Sequence, residues 1–449
     1  MAHSKVSAVF AIMEDVMQTR PPQILQRISA AKDLAKALEY LPGILDEVFP
    51  SRGRRRQELR QDIRSLWESL TSEREHRTAE YLSAPAFASA YIRYFLPWNM
   101  LRLGHLLTSL PLSLPQNPIL ADIGSGPLTL PISLYISRPE LRTQKLTFYC
   151  ADKTERILKL GRLIFESLCV RVSGALPPWE IVLLHESFGA NLPRRVDLLT
   201  SANLFNEFFW KGKDSLEERA TAAAVSIARQ ISDRGQVFFM EPGDPRSGSF
   251  IAAMRTALLD QGFHPLAPCP HEKPCPMPGL AKAYIHGTDR GPESSSLFLP
   301  KMREKYPWCH FTLHNPKAPA WLTALSDEIG LPKEKLVFSY LLTSKAPPAK
   351  PAEAAVSAEA GAPNPLLRIV SESFSLPGHF RGRYACSAEG YCLARYPEAN
   401  PATSVNLGSD PFLSGDLTQM PPTPNVTRRA ARRNPENYDE KSGAFIVHF

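Results

Sequence analysis

Apolar positions recur every three or four residues near the start of the chain, as in Ile24-Leu25-Ile28 and Leu34-Leu38-Leu41. That spacing lines one face of a helix, so residues 1–110 are expected to form a helical N-terminal region. From about residue 117 the period changes. Short apolar runs now alternate with helical stretches, the βα alternation of a parallel sheet. The strands fall at Ile119–Asp122, Leu146–Asp152, Glu180–His185, Val196–Ser201 and Gln236–Glu241. A later run, Leu336–Thr343, has the aromatic and β-branched content of one more. A cysteine-rich insertion, about 265–315, precedes it and is expected to split the last part of the sheet. The pattern therefore predicts an α/β core over 111–345.

Beyond the core, Ser344 to Pro365 holds Val356 as its only large apolar side chain among Ala, Pro, Lys and Glu. Such a segment buries too little to offset the entropy of ordering, and 346–365 reads as a flexible linker. Residues 366–397 alternate apolar and polar positions with glycine turns, as a small β unit does. The remainder, 398–449, is rich in Pro, Asn and Ser and carries the cluster Arg428-Arg429-Ala430-Ala431-Arg432-Arg433; it is expected to be a disordered basic tail. Arg52, Arg54, Arg55 and Arg56 form a second cluster. A solvated face and a phosphate contact both account for these arginines.

Of 449 residues 43% are hydrophobic, ample for a buried core, and the net charge of +7 makes a polyanion, above all nucleic acid, the leading class of partner. The N-terminus lacks the apolar run and cleavage site of a secretory signal, and charged residues or prolines interrupt every apolar stretch before it reaches membrane-spanning length. No membrane and a cytoplasmic location are expected. Seven cysteines, an odd number, do not suit a disulfide framework in such a chain, so reduced thiols are available as ligands.

The first predicted strand ends in Asp122-Ile123-Gly124-Ser125-Gly126, a glycine turn that brings backbone close to a ligand at a strand's carboxyl end. A dinucleotide fingerprint wants a third glycine where Thr129 stands, and Pro127 removes a backbone donor where a pyrophosphate needs one. A ligand without phosphates fits better. S-adenosylmethionine is such a ligand, and its ribose hydroxyls call for an acidic acceptor at the end of the second strand, where Asp152 stands. Asn203, at the end of the fourth strand, faces the same crevice or caps a helix.

Cys269 and Cys275 lie in Pro268-Cys-Pro-His-Glu-Lys-Pro-Cys-Pro276, a proline-stiffened segment that can be neither regular helix nor central strand. Cys309 sits beside Trp308 and Phe311, and either Cys386 or Cys392 completes a set of four. Zinc sites commonly pair cysteines two to four residues apart, a spacing absent here, whereas an iron–sulfur cube accepts dispersed thiolates; composition leaves both open. His271, His310 and His314 are alternative ligands. Cys150 and Cys169, in a strand and a helix, read as small apolar core residues.

The elements Asp122-Ile-Gly-Ser-Gly-Pro, Met240-Glu-Pro-Gly, Ala267-Pro-Cys-Pro-His-Glu-Lys-Pro-Cys-Pro, Trp308-Cys-His-Phe and Phe338-Ser-Tyr-Leu resemble the methyltransferase-like small-ribosomal-subunit proteins of bacteria and of mitochondrial ribosome assembly. The likeness runs over roughly residues 75–395. It implies a class I S-adenosylmethionine-dependent methyltransferase fold and a [4Fe-4S] cluster on Cys269, Cys275, Cys309 and Cys386, with Cys392 as substitute. It also implies action on the small ribosomal subunit or its rRNA, by methylation or as an assembly factor without turnover. The long stretch from Pro276 to Pro307 departs from the family pattern.

Overall fold

The computed structural model describes residues 24–26, 28, 31–50, 54–71, 81–205, 215–277, 308–347, 365–398, 411–421, 437–439, 442 and 444–449. The segment Ile24-Leu25-Ile28 is not helical. Ile24–Gln26 forms strand β1, which pairs at the far edge of a C-terminal sheet. So short a segment forms no stable helix alone, and an open sheet edge satisfies its backbone. Helices do dominate the stretch from residue 34 to residue 109: α1 (Leu34–Val48), α2 (Arg54–Thr71), α3 (Pro85–Ala90) and, after a π-turn over Tyr91–Phe95, α4 (Leu96–Ser109). In α1 the periodic residues Leu34, Leu38 and Leu41 are buried together with Ile44 and Leu45.

The core then unrolls as β2 (Ile119–Ile123), α5 (Thr129–Ser137), β3 (Leu146–Asp152), α6 (Glu155–Ser173), β4 (Trp179–His185), β5 (Val196–Ala202), α7 (Leu216–Gln230), β6 (Ile231–Pro242), α8 (Pro245–Asp260) and β7 (His264–Ala267). After the cysteine-rich segment come β8 (Phe311–His314), α9 (Ala320–Glu328) and β9 (Lys335–Ser344). The sheet order is β4-β3-β2-β5-β6-β9-β7, with β8 also on β9. Strands β2 to β6 pair in parallel and β9 runs antiparallel between β6 and β7. This is the class I S-adenosylmethionine-dependent methyltransferase fold. The cysteine-rich segment lies in the chain between β7 and the last strands, β8 and β9. Chain order reverses between β2 and β5, which opens a crevice at their carboxyl ends.

Alternate residues of each strand feed two cores. Leu120, Phe148, Leu198 and Phe238 face the N-terminal helices. Ala121, Tyr149, Leu199 and Phe239 face α7 and α8.

The C-terminal sheet contains β10 (Leu366–Ile369), β11 (Phe374–Leu376), β12 (Phe380–Ser387), β13 (Gly390–Pro397), β14 (Leu417–Gln419) and β15 (Phe445–His448), in the order β1-β14-β10-β12-β13-β15 with β11 on β12. The small β unit is thus larger than 366–397, and the expectation of a disordered tail is corrected for its described parts. Phe412, Met420, Phe445 and Val447 are buried with Leu367, Ile369 and Cys392 in a core of their own. These apolar residues are too sparse among Pro, Asn and Ser to show a local period, yet each completes the sheet. The cluster at Arg428–Arg433 and most of the linker, 348–364, lie outside the described residues. Among the described residues no helix is long and apolar enough to cross a membrane.

Candidate functional site

The glycine turn leaves β2 and is tied to the end of β3. Gly124 and Ser125 both donate their N–H groups to the Ala151 carbonyl, at 2.8 and 3.0 Å, and the Gly126 N–H donates to Asp152 Oδ2 at 3.0 Å. All three turn donors are engaged within the protein, and Pro127 has none. No nest of free N–H groups remains for a pyrophosphate, which agrees with a ligand that brings no phosphate.

Gly124 and Gly126 both have positive φ, 72° and 51°. A Cβ on Gly124 would stand 2.8 Å from Leu204 Cδ1, whereas one on Gly126 would meet nothing within 4 Å. Gly126 therefore borders open space. Close beneath, α6 packs so tightly that a Cβ on Gly161 would lie 2.4 Å from the Pro127 carbonyl carbon.

Asp122 is buried in the turn's own hydrogen-bond set, accepting from Ser125 Oγ at 2.7 Å and from Thr200 Oγ1 at 2.8 Å. Burial pushes its carboxyl up to about 7, opposed by those two hydrogen bonds. It anchors the turn rather than facing the crevice. Asp152 is half-buried, and each of its oxygens takes one backbone N–H, from Gly126 and, at 2.9 Å, from Thr154. Burial raises its pKa and these bonds hold it down. A carboxylate oxygen accepts twice, so each keeps a place for a hydroxyl.

Asn203 follows β5 in a left-handed conformation, φ 59°, with its N–H donated to the Met240 carbonyl at 2.8 Å. Just beyond, the fully buried Glu241 accepts from the Phe205 N–H at 2.9 Å, joining the ends of β5 and β6.

The cysteines come from three separated segments. Cys269 and Cys275 lie in the loop after β7, Cys309 immediately before β8, and Cys386 near the end of β12. Burial raises the thiol pKa of Cys275, Cys309 and Cys386; Cys269 pushes all three further, and Cys275 adds to the push on Cys309 and Cys386. Cys309 in turn raises Cys386. Each of these thiols is thus close enough to feel the charge of the others. Among the described residues no group of three or more His, Cys, Asp or Glu side chains has the arrangement of a metal-ion site.

Strand register separates the two C-terminal candidates. Cys386 pairs with Tyr391 and Cys392 with Ala385, so successive positions point to opposite faces. Cys386 joins the core shared with the cysteine loop, and Cys392 joins the outer core of the sheet. Cys150 and Cys169 are fully buried in the main core.

Of the histidines, His271 Nε2 lies 3.3 Å from Cys386 Sγ. Burial lowers its pKa to about 4, helped by Arg255. His310 instead stacks on Trp308 and bonds its carbonyl, and His314 faces Glu372 at the surface.

Sequence reasoning missed two buried arginines. Arg255, inside α8, donates from Nε to Cys269 Sγ at 3.2 Å and from Nη2 to the carbonyls of His271 and Lys273 at 2.7 and 2.8 Å. Arg368, in β10, sits opposite Cys386 and donates to the Pro268 and Gly415 carbonyls, each at 2.7 Å. A charged residue between Met254 and Thr256 on an otherwise apolar helix face was the available signal for Arg255. Nothing local marked Arg368. Thr200 and Leu204, which shape the turn, were also missed because their roles are visible only across strands.

Residues 122–286 match the family model described as mitochondrial small ribosomal subunit Rsm22. No curated protein matches the chain. Among solved structures, an antibiotic-related methyltransferase is 11% identical with a TM-score of 0.29, covering 51% of this chain and 89% of its own. A putative class I S-adenosylmethionine-dependent methyltransferase from Listeria monocytogenes is 13% identical with a TM-score of 0.29, covering 72% and 90%. A putative O-methyltransferase from Nostoc punctiforme is 14% identical with a TM-score of 0.29, covering 50% and 66%. Scores of this size add nothing to the strand order, which defines the fold by itself. Over residues 122–286, about a third of its length, the chain is similar to the mitochondrial small-ribosomal-subunit family Rsm22.

Proposed function

We propose that this protein holds S-adenosylmethionine at the β2–β5 crevice and a [4Fe-4S] cluster on Cys269, Cys275, Cys309 and Cys386, and that it acts on the small ribosomal subunit. The observation that carries the reading is that cysteines from three distant segments share one core, with the Cys269 loop reaching Cys386 through His271 at 3.3 Å and Arg255 bonding both Cys269 and His271. Stiff or structured backbone presents each thiol, and two buried arginines stand beside them. No two of these cysteines have the two-to-four-residue spacing common in zinc sites, whereas a cube takes thiolates dispersed along the chain, and on that ground we prefer it to zinc. At the crevice, Asp152 would accept the ribose hydroxyls, Gly126 leaves room for the ligand, and Asn203 borders its methionine end. The bound cofactor supplies an electrophilic methyl group.

The small subunit and its rRNA enter from the family relationship and from the net charge of +7, which suits a polyanion. Such a protein works where ribosomes are made, in the cytoplasm or the mitochondrial matrix. Anaerobic purification with iron, sulfide and zinc analysis, followed by co-sedimentation with immature small subunits, tests the reading. Brown protein containing iron and sulfide that travels with the subunits is expected; colourless protein containing zinc overturns the cluster. Labelled methyl transfer to rRNA or to a ribosomal protein distinguishes a methyltransferase from an assembly factor that binds without turnover.

A further inference from the structure

Four thiolates outweigh the positive charge of an iron–sulfur core, so a loaded centre is a net anion in a place poor in water. We propose that Arg255 and Arg368 are positioning residues for this centre, balancing its negative charge from inside the protein and holding its reduction potential up. The inference rests on the iron–sulfur reading above.

Both arginines are 2% exposed. Neither can escape desolvation by shedding its proton, as a buried lysine does. For Arg255 in particular, a buried cation demands a resident counter-charge. Among the described residues Arg255 meets no carboxylate; its partners are the Cys269 sulfur and two carbonyls of the cysteine loop. It thus shapes the loop and supplies an N–H to a ligand sulfur with one side chain. Arg368 reaches the centre from the other sheet. It stands opposite Cys386 across β10 and β12, and its Nε holds the carbonyl of Pro268, the residue before Cys269. The two arginines flank the centre from both of the sheets it would join.

Cluster potentials follow net charge, hydrogen bonds to sulfur and solvent exposure. Removing a buried positive charge disfavours the reduced form, which carries one more electron. The test measures iron and sulfide per chain and the midpoint potential of the bound cluster in the full-length protein, Arg255→Lys and Arg255→Gln. In Arg255→Gln the reduced-to-oxidised ratio at fixed potential is expected to fall at least tenfold, which is 59 mV for a one-electron couple. Arg255→Lys keeps the charge and is expected to change that ratio less than threefold. A glutamine variant that loads no cluster beside a lysine variant that loads fully also supports the proposal, since charge is then needed for assembly. An unchanged midpoint in Arg255→Gln, or failure of both variants to load, overturns it. Wild-type protein without iron and sulfide defeats the cluster reading itself, a distinct result seen before any variant is made.

Discussion

Two glycines in one turn offer a separation of stability from ligand binding. Alanine at either position must adopt a positive φ, 72° at residue 124 and 51° at 126, a strain of roughly 1–2 kcal/mol. At Gly124 a second effect adds to it. The new methyl would stand 2.8 Å from Leu204 Cδ1 and 3.2 Å from Leu204 Cβ and Cγ, so the whole side chain has to move. Overpacking of that kind costs about 1–3 kcal/mol. Gly124→Ala should therefore lose about 2–5 kcal/mol, and Gly126→Ala only about 1–2 kcal/mol.

Binding should rank the other way. A methyl on Gly126 enters the open space beside Asp152, whose carboxylate is bonded to the Gly126 N–H and is assigned the ribose. Urea unfolding would measure the stabilities, and titration calorimetry with S-adenosylmethionine the affinities. Gly126→Ala is expected to bind at least tenfold more weakly, a change of about 1.4 kcal/mol, while staying folded. Wild-type affinity in Gly126→Ala, or equal stability of the two variants, would refute the assignment of this turn as the cofactor's wall.

The cysteine register gives a paired test: Cys386→Ser should lose bound iron, and Cys392→Ser, which faces the outer core, should keep it, as metal analysis of both proteins will show. Asp122 has a folded pKa raised to about 7, so its contribution is fully present below the ordinary carboxylate range and is lost as pH rises through that window. Asp122→Asn should flatten the fall of stability between pH ~4 and ~7, read from urea midpoints; an unchanged slope counts against the burial of that carboxyl. Phe412 is fully buried although it lies in a segment whose composition reads as disordered, and Phe412→Ala should cost about 3–5 kcal/mol. A melting temperature equal to wild type would show that the segment does not pack.

The parallel core was legible because a doubly covered strand must be apolar along its length, and the runs at 119, 146, 180, 196 and 236 stand out against polar neighbours. Their ends shifted by a residue or so, except β6, which begins at Ile231 through Asp233 and Gly235, residues that no strand propensity favours. The short β7 and β8 were invisible, since four residues carry no period. The glycine turn and the cysteines stood out in the sequence as residue types, and the structure puts the turn at the end of β2 and the cysteines on three segments. Arg255, Arg368, Thr200 and Leu204 were not, because their partners lie on other strands and loops. The C-terminal sheet failed for the same reason: β1, β14 and β15 have three, three and four residues, and each exists only because a distant edge receives it.

Direct contacts connect the crevice to the thiols. Glu241 braces Phe205 two residues beyond Asn203, and the same strand leads into Gly243. There is no room for a side chain at that glycine, because a Cβ would stand 2.3 Å from Val337 Cγ1; its carbonyl accepts from Trp308 Nε1 at 2.9 Å. One turn into α8, a Cβ on Gly248 would lie 2.6 Å from Trp308 Cδ1 and 3.0 Å from the Cys309 carbonyl, which Ser339 Oγ also holds at 2.7 Å. Cys309 is thus fixed to the end of β6 by backbone approaches that tolerate no slack. Arg368, reaching from the second sheet to Pro268, fixes the other side of the cysteine loop. A metal centre assembled there would clamp loops that already bear on the crevice, so its loss would be felt at Asn203 through packed backbone, without any change in the residues that touch the cofactor.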